Sequence, residues 1–252
     1  MIISLINHSE VKDEKVLETI RAINRQIIED FQPYWGMSAN LRLEGRSQKK
    51  PTRNKIVDMR GDAVLYLWDD VRDLDKALGL HDANNRGIPY GFAFRALSEQ
   101  AGEEWTVTLS HEVLELIGDP EANLLVAGPH PEHPRRQVFH WFEMCDAVQD
   151  ESYEIDGIEV SNFLLPLYFT LNNEKGSRND FLSTRTEDST LKSFGTNPGG
   201  YIGFYNPATG KHQTHDHDLR AAKRRRVKMR AGRARRALRY KTPHVLGGRK
   251  GR

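Results

Sequence analysis

One imidazole and three carboxylates cluster in and just after a single segment, Trp105–Gly118. If this segment is a helix and His111 is set to 0°, then Glu115, Asp119 and Glu112 fall at about 40°, 80° and 100°. The apolar residues fall on the opposite side: Trp105, Leu109, Val113, Leu116 and Ile117. One face therefore gathers side chains that could hold a metal ion or carry out general acid–base chemistry.

The spacing of His111 and Glu115 favours a metal site. Side chains four residues apart lie on the same face of a helix, so that both can reach one ion. The alternative is an amphipathic surface helix whose polar face is only solvated, because such a helix has the same pattern. Several predicted strands precede the segment and should place it inside the domain, which favours the metal site.

The letters HEVLELIG, at residues 111–118, resemble the active-site helix of zincin metallopeptidases, HExxH, with a glutamate in place of the second histidine. The resemblance implies that His111 and Glu115 are zinc ligands. It also implies that Glu112 is the general base that acts on a zinc-bound water. One histidine among several carboxylates is an oxygen-rich site, so another divalent cation is the alternative to zinc.

The metzincin branch of that family provides a further comparison. Gly118 lies seven residues after His111, where metzincins have the glycine that ends this helix. The third metzincin ligand would fall at Glu121, which is not a histidine. The resemblance therefore extends to the helix and its end, but not to the metzincin third ligand.

The third ligand is expected in a later segment, HWFEMCDAV, which offers four candidates: His140, Glu143, Cys145 and Asp146. In the gluzincin branch the third ligand is a downstream glutamate, followed by an aspartate that orients the first histidine. This resemblance implies that Glu143 is the ligand and that Asp146 accepts a hydrogen bond from His111. Asp119 could fill either role, Glu143 could instead be a solvated carboxylate, and Cys145 is expected in the core.

The elements that must position these residues are predicted from periodicity and turn residues. They are a strand at 2–6, a helix at 16–31 ending at Pro33 and Gly36, and strands at 41–43, 63–68 and 88–94. Residues 47–54 and 78–87 are expected to be loops. By the resemblance, 88–94 is an edge strand that would hold an extended peptide substrate by β-augmentation.

After the central helix, residues 119–136 are expected to be irregular and 138–147 ordered. The apolar run within 160–169 is predicted to be core or pocket wall, and 201–205 a strand. The order of elements predicts an α/β (α+β) fold. It would have a mixed twisted sheet, a long N-terminal helix and a central helix. The resemblance to zincins implies that this helix is the active-site helix and that residues 1–217 form a zincin-like metal-dependent hydrolase domain.

The charge is divided unevenly along the chain. Residues 220–252 hold 15 of the 37 Lys and Arg residues and none of the 35 acidic residues. We expect residues 218–252 to be a basic, flexible tail that binds nucleic acid or another polyanion without sequence preference. An anionic membrane, a localisation receptor and the acidic body of the protein are the alternatives.

Two groups of histidines lie elsewhere. His212, His215 and His217 stand in a short His-rich tract that is expected to lack fixed secondary structure and to bind metal only adventitiously. His130 and His133 are expected to be loop residues.

The single cysteine excludes an internal disulfide framework and a cysteine-only zinc site. No apolar run reaches the roughly 20 residues of a membrane span, and no secretory signal is recognised, so a cytoplasmic protein is expected. The resemblance to zincins implies a metal-dependent hydrolase that uses zinc, and most specifically a metallopeptidase acting on peptides or proteins. The alternatives are an inactive zincin-like binding protein that associates with a polyanion, and a fold stabilised by a structural cation.

Overall fold

The structure is a computed structural model that describes residues 1–46, 56, 58–69, 78–171, 178–183, 185–186 and 189–216. The predicted loop at 47–54 and the basic tail at 218–252 lie outside the described residues. The domain boundary predicted at 217/218 and His217 also lie outside them.

A five-stranded mixed sheet forms the first half of the chain. Its strands are β1 (Ile2–Asn7), β2 (Asn40–Leu43), β3 (Ala63–Trp68), β4 (Gly79–Ala83) and β5 (Pro89–Phe94), in the order β2-β1-β3-β5-β4. Only β4 is antiparallel to its neighbour. The apolar runs of β1 and β3 are buried on both faces, as is usual for the parallel part of a sheet.

The sheet confirms four predicted strands and corrects two other expectations. Residues 79–83 form β4, although 78–87 was predicted to be a loop. The edge strand on this side of the sheet is therefore β4, and β5 lies inside the sheet, between β3 and β4. The segment was misread because a short edge strand is held by its ladder to β5 and needs no apolar run.

The N-terminal helical run confirms the predicted long helix. It comprises α1 (Asp13–Arg25), a π-helical stretch at Gln26–Phe31 and α2 (Gln32–Trp35). Pro33 does not end the run, because it lies in the first turn of α2, where a missing N–H is tolerated. The run ends at Gly36, which adopts a left-handed conformation with φ of +66°.

A short helix α3 (Arg95–Gln100) leads into the central helix α4 (Trp105–Gly118), which begins and ends where the sequence predicted. The helix packs against β4 and β5 on one side and against a later strand, β9 (Ile158–Ser161), on another. All of its residues except His111 are buried, and His111 is partly buried. This burial excludes the alternative of a surface helix with a solvated polar face.

The second half of the chain contains a four-stranded antiparallel sheet. It comprises β6 (Leu125–Pro129), β7 (Gln137–Trp141), β12 (Tyr201–Asn206) and β13 (Lys211–Asp216), in the order β13-β12-β7-β6. The other strands form two hairpins: β8 (Ser152–Ile155) with β9, and β10 (Arg185–Thr186) with β11 (Ser189–Thr190). Single 3₁₀ turns lie at Asp146–Val148 and Pro166–Phe169.

This sheet confirms the strand predicted at 201–205 and corrects two further expectations. The stretch 119–136, predicted to be irregular, contains β6. Residues 211–216 of the His-rich tract form β13, although no fixed structure was expected there. Strand β6 contains glycine and proline, and β13 is polar. The conformation of β6 is fixed by its pairing with β7, and that of β13 by its pairing with β12.

The main hydrophobic core lies between the parallel sheet, α1 and α4. It joins residues from widely separated parts of the chain, including Leu5, Ile23, Leu65, Leu109 and Phe163. The apolar run predicted to be core or pocket wall contributes buried side chains here, including Phe163 and Leu165. The fold is thus mixed α/β with a mixed sheet and a long N-terminal helix, as predicted. Among the helices that the structure describes, none combines the length and apolar character needed to cross a bilayer.

Candidate metal centre

Helix α4 presents three polar side chains of the predicted site to the interior. The side chains of Glu112 and Glu115 are buried, and that of His111 is only 13% exposed. His111 Nε2 lies 3.2 Å from Glu115 Oε1, one turn along the helix. The predicted pairing of these two side chains is therefore present, in a buried setting.

Strand β4 contributes a histidine that sequence reasoning missed. Because side chains alternate along a strand, Leu80 packs on the far face of the sheet while His81 faces α4. His81 Nδ1 lies 3.5 Å from Glu115 Oε2 and 3.6 Å from Glu112 Oε2. The His81 side chain is only 3% exposed.

The segment after β7 brings in two further carboxylates, both buried. Glu143 Oε2 lies 3.9 Å from His81 Nε2, and Asp146 Oδ1 lies 3.4 Å from His111 Nε2. Between them, the Cys145 backbone N–H donates to Glu115 Oε1 at 3.3 Å. This hydrogen bond ties the segment to α4.

These residues form two groups that could each hold a metal ion and that share Glu115. One group is His81, Glu115 and Glu143, and the other is His111, Glu115 and Asp146; within each, the donor atoms lie within 4.8 Å of one another. Two ligands about 2.1 Å from a tetrahedrally bound ion would lie about 3.4 Å apart. In the His111 group, Nε2 lies 3.2 Å from Glu115 Oε1 and 3.4 Å from Asp146 Oδ1, which fits this arrangement. In the His81 group, Nδ1 is nearest Glu115 and Nε2 is nearest Glu143, and a single ion can bind only one of these two nitrogens.

The hydrogen bonding of the cluster also fits a bound cation. His81 Nε2 and Glu112 Oε2 are buried and have no hydrogen-bond partner among the described residues. Buried polar atoms in native proteins almost always have a partner, which can be a protein group, water or an ion. A cation coordinated by this nitrogen or oxygen would satisfy it, so the residues present fit a metal ion.

The electrostatics of the cluster reflect carboxylates crowded together away from water. Burial raises the pKa of Glu112. Burial, followed by the charge of Glu115, raises the pKa of Asp146. Burial lowers the pKa of His111, but the neighbouring carboxylates, chiefly Glu115, outweigh this and raise it well above its usual value. The cluster thus favours positive charge, supplied by protons or by a cation.

Tyr201 of β12 is the second residue that sequence reasoning did not assign to the site. Its hydroxyl hydrogen-bonds to Asp146, and burial followed by the charge of Asp146 raises the pKa of this hydroxyl. It therefore stays protonated and holds Asp146 in place. The strand itself was predicted, but no local pattern in the sequence connects Tyr201 to Asp146.

A small cavity opens beside the carboxylates. Glu143 and Asp146 line one part of its wall, and aromatic side chains line much of the rest: Trp141, Tyr168, Phe169 and Tyr201. Two of these aromatic residues come from the apolar run that was predicted to be core or pocket wall. With a volume of about 10 Å³, the cavity has room for about one water molecule beside the polar cluster.

Three other candidates lie outside both groups. Asp119 Oδ2 accepts a hydrogen bond from the Leu124 backbone N–H at 2.8 Å. Cys145 is buried in the main core, as expected, and burial raises its thiol pKa well above the usual value. His140 Nε2 lies 2.8 Å from the carbonyl oxygen of Pro129.

The remaining histidines lie on and beside the second sheet. His130 and His133 occur in the loop that joins β6 and β7, as predicted, with their ring centroids 5.0 Å apart. His215 Nδ1 lies 3.8 Å from Glu132 Oε1 of the same loop. Glu121, at the position of the metzincin third ligand, is exposed.

Comparisons with protein-family models, curated proteins and solved structures find no significant match to this chain.

His81 could have been found only through its alternation with Leu80 in a strand. In the sequence it stands among polar and turn-forming residues in the letters GLHDANN, which indicate a loop. Its role depends on the sheet order, because β4 lies next to β5 and against α4. That order is a property of the whole fold and not of the local sequence.

Proposed function

We propose that this protein is a metal-dependent hydrolase whose centre contains His111, Glu115 and Asp146, with Glu112 as its general base. The proposal rests on one observation: the partly buried His111 and the buried Glu115 and Asp146 lie at ligand-like separations, and Glu112 lies one residue along the same helix. A divalent ion held there would supply Lewis acidity, which activates water and polarises a carbonyl group.

The roles proposed for the protein side chains follow from their contacts. Glu112 Oε2 has no hydrogen-bond partner among the described residues and could accept a proton from water. Its raised pKa brings it closer to the operating pH, which suits a general base. Tyr201 orients Asp146 through its hydroxyl.

The geometry favours a different third ligand from the one expected from the sequence. Asp146 lies 3.4 Å from His111 Nε2, whereas Glu143 belongs to the group around His81. We therefore propose Asp146 as the third ligand beside His111 and Glu115. The earlier expectation that Glu143 is this ligand stays a prediction. Measuring which of Glu143→Gln and Asp146→Asn loses the same ion that His111→Ala loses can decide between the two.

The finer proposal is a zincin-like metallopeptidase that uses zinc. It is supported by the motif letters of α4, by its place after a mixed sheet and by the antiparallel edge strand beside it. Since the edge is β4, an extended peptide would bind along β4 and not along residues 88–94. No described strand pairs with the other edge of β4.

Metal content and hydrolysis, measured together, test the proposal. We expect the purified wild type to contain a stoichiometric divalent ion, chiefly zinc, and to cleave members of a peptide library. His111→Ala should lose the ion at this site, and Glu112→Gln should keep it but lose turnover. A wild type that holds no divalent ion, even after dialysis against zinc, would overturn the proposal.

Association with a polyanion is a second candidate function, supported by the basic residues concentrated in 220–252. It could accompany hydrolysis or replace it. Nucleic acid that co-purifies with the full chain and is released by salt would support it, because such binding depends on counterion release.

A structural cation is the third candidate. It predicts that a chelator lowers thermal stability while no substrate is hydrolysed.

A further inference from the structure

We propose that the centre binds two divalent metal ions bridged by the carboxylate of Glu115. This inference rests on the proposed function, since both require a metal ion at His111. It adds a second ion at His81, on the other side of the shared carboxylate.

The two oxygens of Glu115 face different histidines. Oε1 lies 3.2 Å from His111 Nε2, and Oε2 lies 3.5 Å from His81 Nδ1. A carboxylate in this position can give one oxygen to each of two ions. Centres with ions about 3.5–4 Å apart occur in several classes of hydrolase.

The ligands on the two sides are matched. Each group contains one imidazole, one oxygen of Glu115 and one further carboxylate, which is Glu143 beside His81 and Asp146 beside His111. Three protein ligands leave a coordination position open at each ion, as a catalytic site requires. Mixed nitrogen and oxygen ligands suit zinc or manganese.

His81 provides an independent indication of a ligand at the second position. Its side chain is 97% buried, and its Nε2 has no hydrogen-bond partner among the described residues. This nitrogen lies 3.9 Å from Glu143 Oε2, whereas the other ring nitrogen, Nδ1, lies 3.5 Å from Glu115 Oε2. An ion would bind through only one of the two nitrogens, and with one donor atom from each residue the three atoms of this group lie within 4.8 Å of one another.

The charge of the cluster also favours two ions. Four carboxylates are buried together: Glu112, Glu115, Glu143 and Asp146. When all four are ionised, one divalent cation leaves two buried negative charges, whereas two divalent cations balance the cluster. Because uncompensated buried charge is strongly unfavourable, the second ion would stabilise the ionised site.

The experiment counts ions per chain. The full chain is stripped with chelator, titrated with Zn²⁺ in a calorimeter, desalted and analysed for retained zinc. We expect two equivalents in the wild type and one each in His81→Ala and His111→Ala. His133→Ala, which removes an exposed histidine outside both groups, should keep two.

A second measurement does not depend on whether His81→Ala folds. The stripped wild type is loaded with Mn²⁺ and studied by electron paramagnetic resonance. We expect a spectrum of exchange-coupled ions at two equivalents, because a single carboxylate joins them. Two uncoupled manganese signals would overturn the bridged arrangement.

The outcomes separate this inference from the proposed function. One equivalent in the wild type, kept by His81→Ala and lost by His111→Ala, would overturn the second ion and leave the proposed function intact. Two equivalents that both persist in His81→Ala would place the second ion elsewhere and also overturn the inference. No zinc in the wild type would overturn both.

Discussion

Gly79 of β4 and Glu112 of α4 are in direct apposition. A β-carbon on Gly79 would lie 2.6 Å from Glu112 Cγ and 2.8 Å from its Cδ, which is closer than real contacts allow. The absence of a side chain at Gly79 is therefore what lets the carboxylate of Glu112 lie against the edge strand, next to His81.

Gly79→Ala should displace Glu112 or push β4 away from α4. Because Glu112 is buried and has little room to move, we expect a loss of about 1–3 kcal/mol in the free energy of unfolding. Denaturant titration measures this loss. If the proposed hydrolysis exists, turnover should fall more than metal content does, since Glu112 is not among the proposed ligands.

The matched control is Gly45→Ala, because a β-carbon there meets no atom within 4 Å. Its free energy of unfolding should lie within about 0.5 kcal/mol of the wild-type value. Equal stability of the two variants would contradict the close fit between Gly79 and Glu112.

Glu115→Gln tests the charge of the cluster through its metal dependence. We expect added Zn²⁺ to raise the thermal midpoint of the wild type on the order of 10 °C at saturating concentration. The variant should lose most of this gain. Without metal, the variant should be at least as stable as the wild type, because it has one fewer buried negative charge. Differential scanning calorimetry with and without chelator measures both effects.

Glu121→Gln is the control for this change, since Glu121 is exposed. It should respond to zinc as the wild type does. If chelator-treated Glu115→Gln is several degrees less stable than chelator-treated wild type, the charge of Glu115 serves mainly to pair with His111 in the metal-free fold.

Ser110 links three elements that hold α4 in place. Its hydroxyl donates to Gln26 Oε1 at 2.7 Å and accepts the Ser161 N–H at 3.1 Å, and Gln26 Nε2 donates to the Ser161 carbonyl oxygen. All three residues are buried. This network joins the π-helical stretch, α4 and β9 one residue before His111.

Ser110→Ala should leave a buried oxygen of Gln26 and a buried N–H of Ser161 without their partner. We expect the free energy of unfolding to fall by about 1–3 kcal/mol. Ser152→Ala, which removes an exposed hydroxyl, should change it by less than about 0.5 kcal/mol. Similar stabilities for the two variants in urea would mean that the network contributes little.

Much of the fold could be predicted because apolar periodicity is a local property. The strands β1 and β3 are apolar runs, and α4 has its apolar residues on one side. Strand β4 and strand β13 lack such a pattern and depend on their partners for their conformation. Their existence therefore follows from tertiary pairing, which a local reading does not contain.

The candidate site divides in the same way. His111, Glu112 and Glu115 could be predicted because one helix sets their spacing. His81 comes from another element and is brought to Glu115 by the sheet order. The choice between Glu143 and Asp146 likewise depends on how the loop after β7 crosses α4. The roles of all these residues stay predictions until metal binding is measured.

The two ring nitrogens of the buried His140 differ in their hydrogen bonding. Nε2 donates to the Pro129 carbonyl oxygen, and Nδ1 has no hydrogen-bond partner among the described residues. Burial lowers the pKa of His140 from 6.5 to about 4, and the hydrogen bond to Pro129 opposes this only in part. The folded protein therefore holds His140 neutral at pH values where the unfolded chain binds a proton.

The stability of the fold should depend on pH through this residue. As the pH falls from about 6.5 to about 4, the unfolded state gains a proton that the folded state does not, so folding becomes less favourable. The lowered pKa corresponds to roughly 3 kcal/mol by pH 4. His140→Gln and His140→Phe should both remove the roughly 3 kcal/mol of stability that His140 costs on acidification, because neither side chain titrates in this range. The two variants should agree although only glutamine keeps an N–H that can donate to Pro129. Denaturant titrations between pH 4 and 8 measure the free energy of unfolding as a function of pH. If the variants and the wild type lose the same free energy over this range, His140 is already protonated in the folded protein.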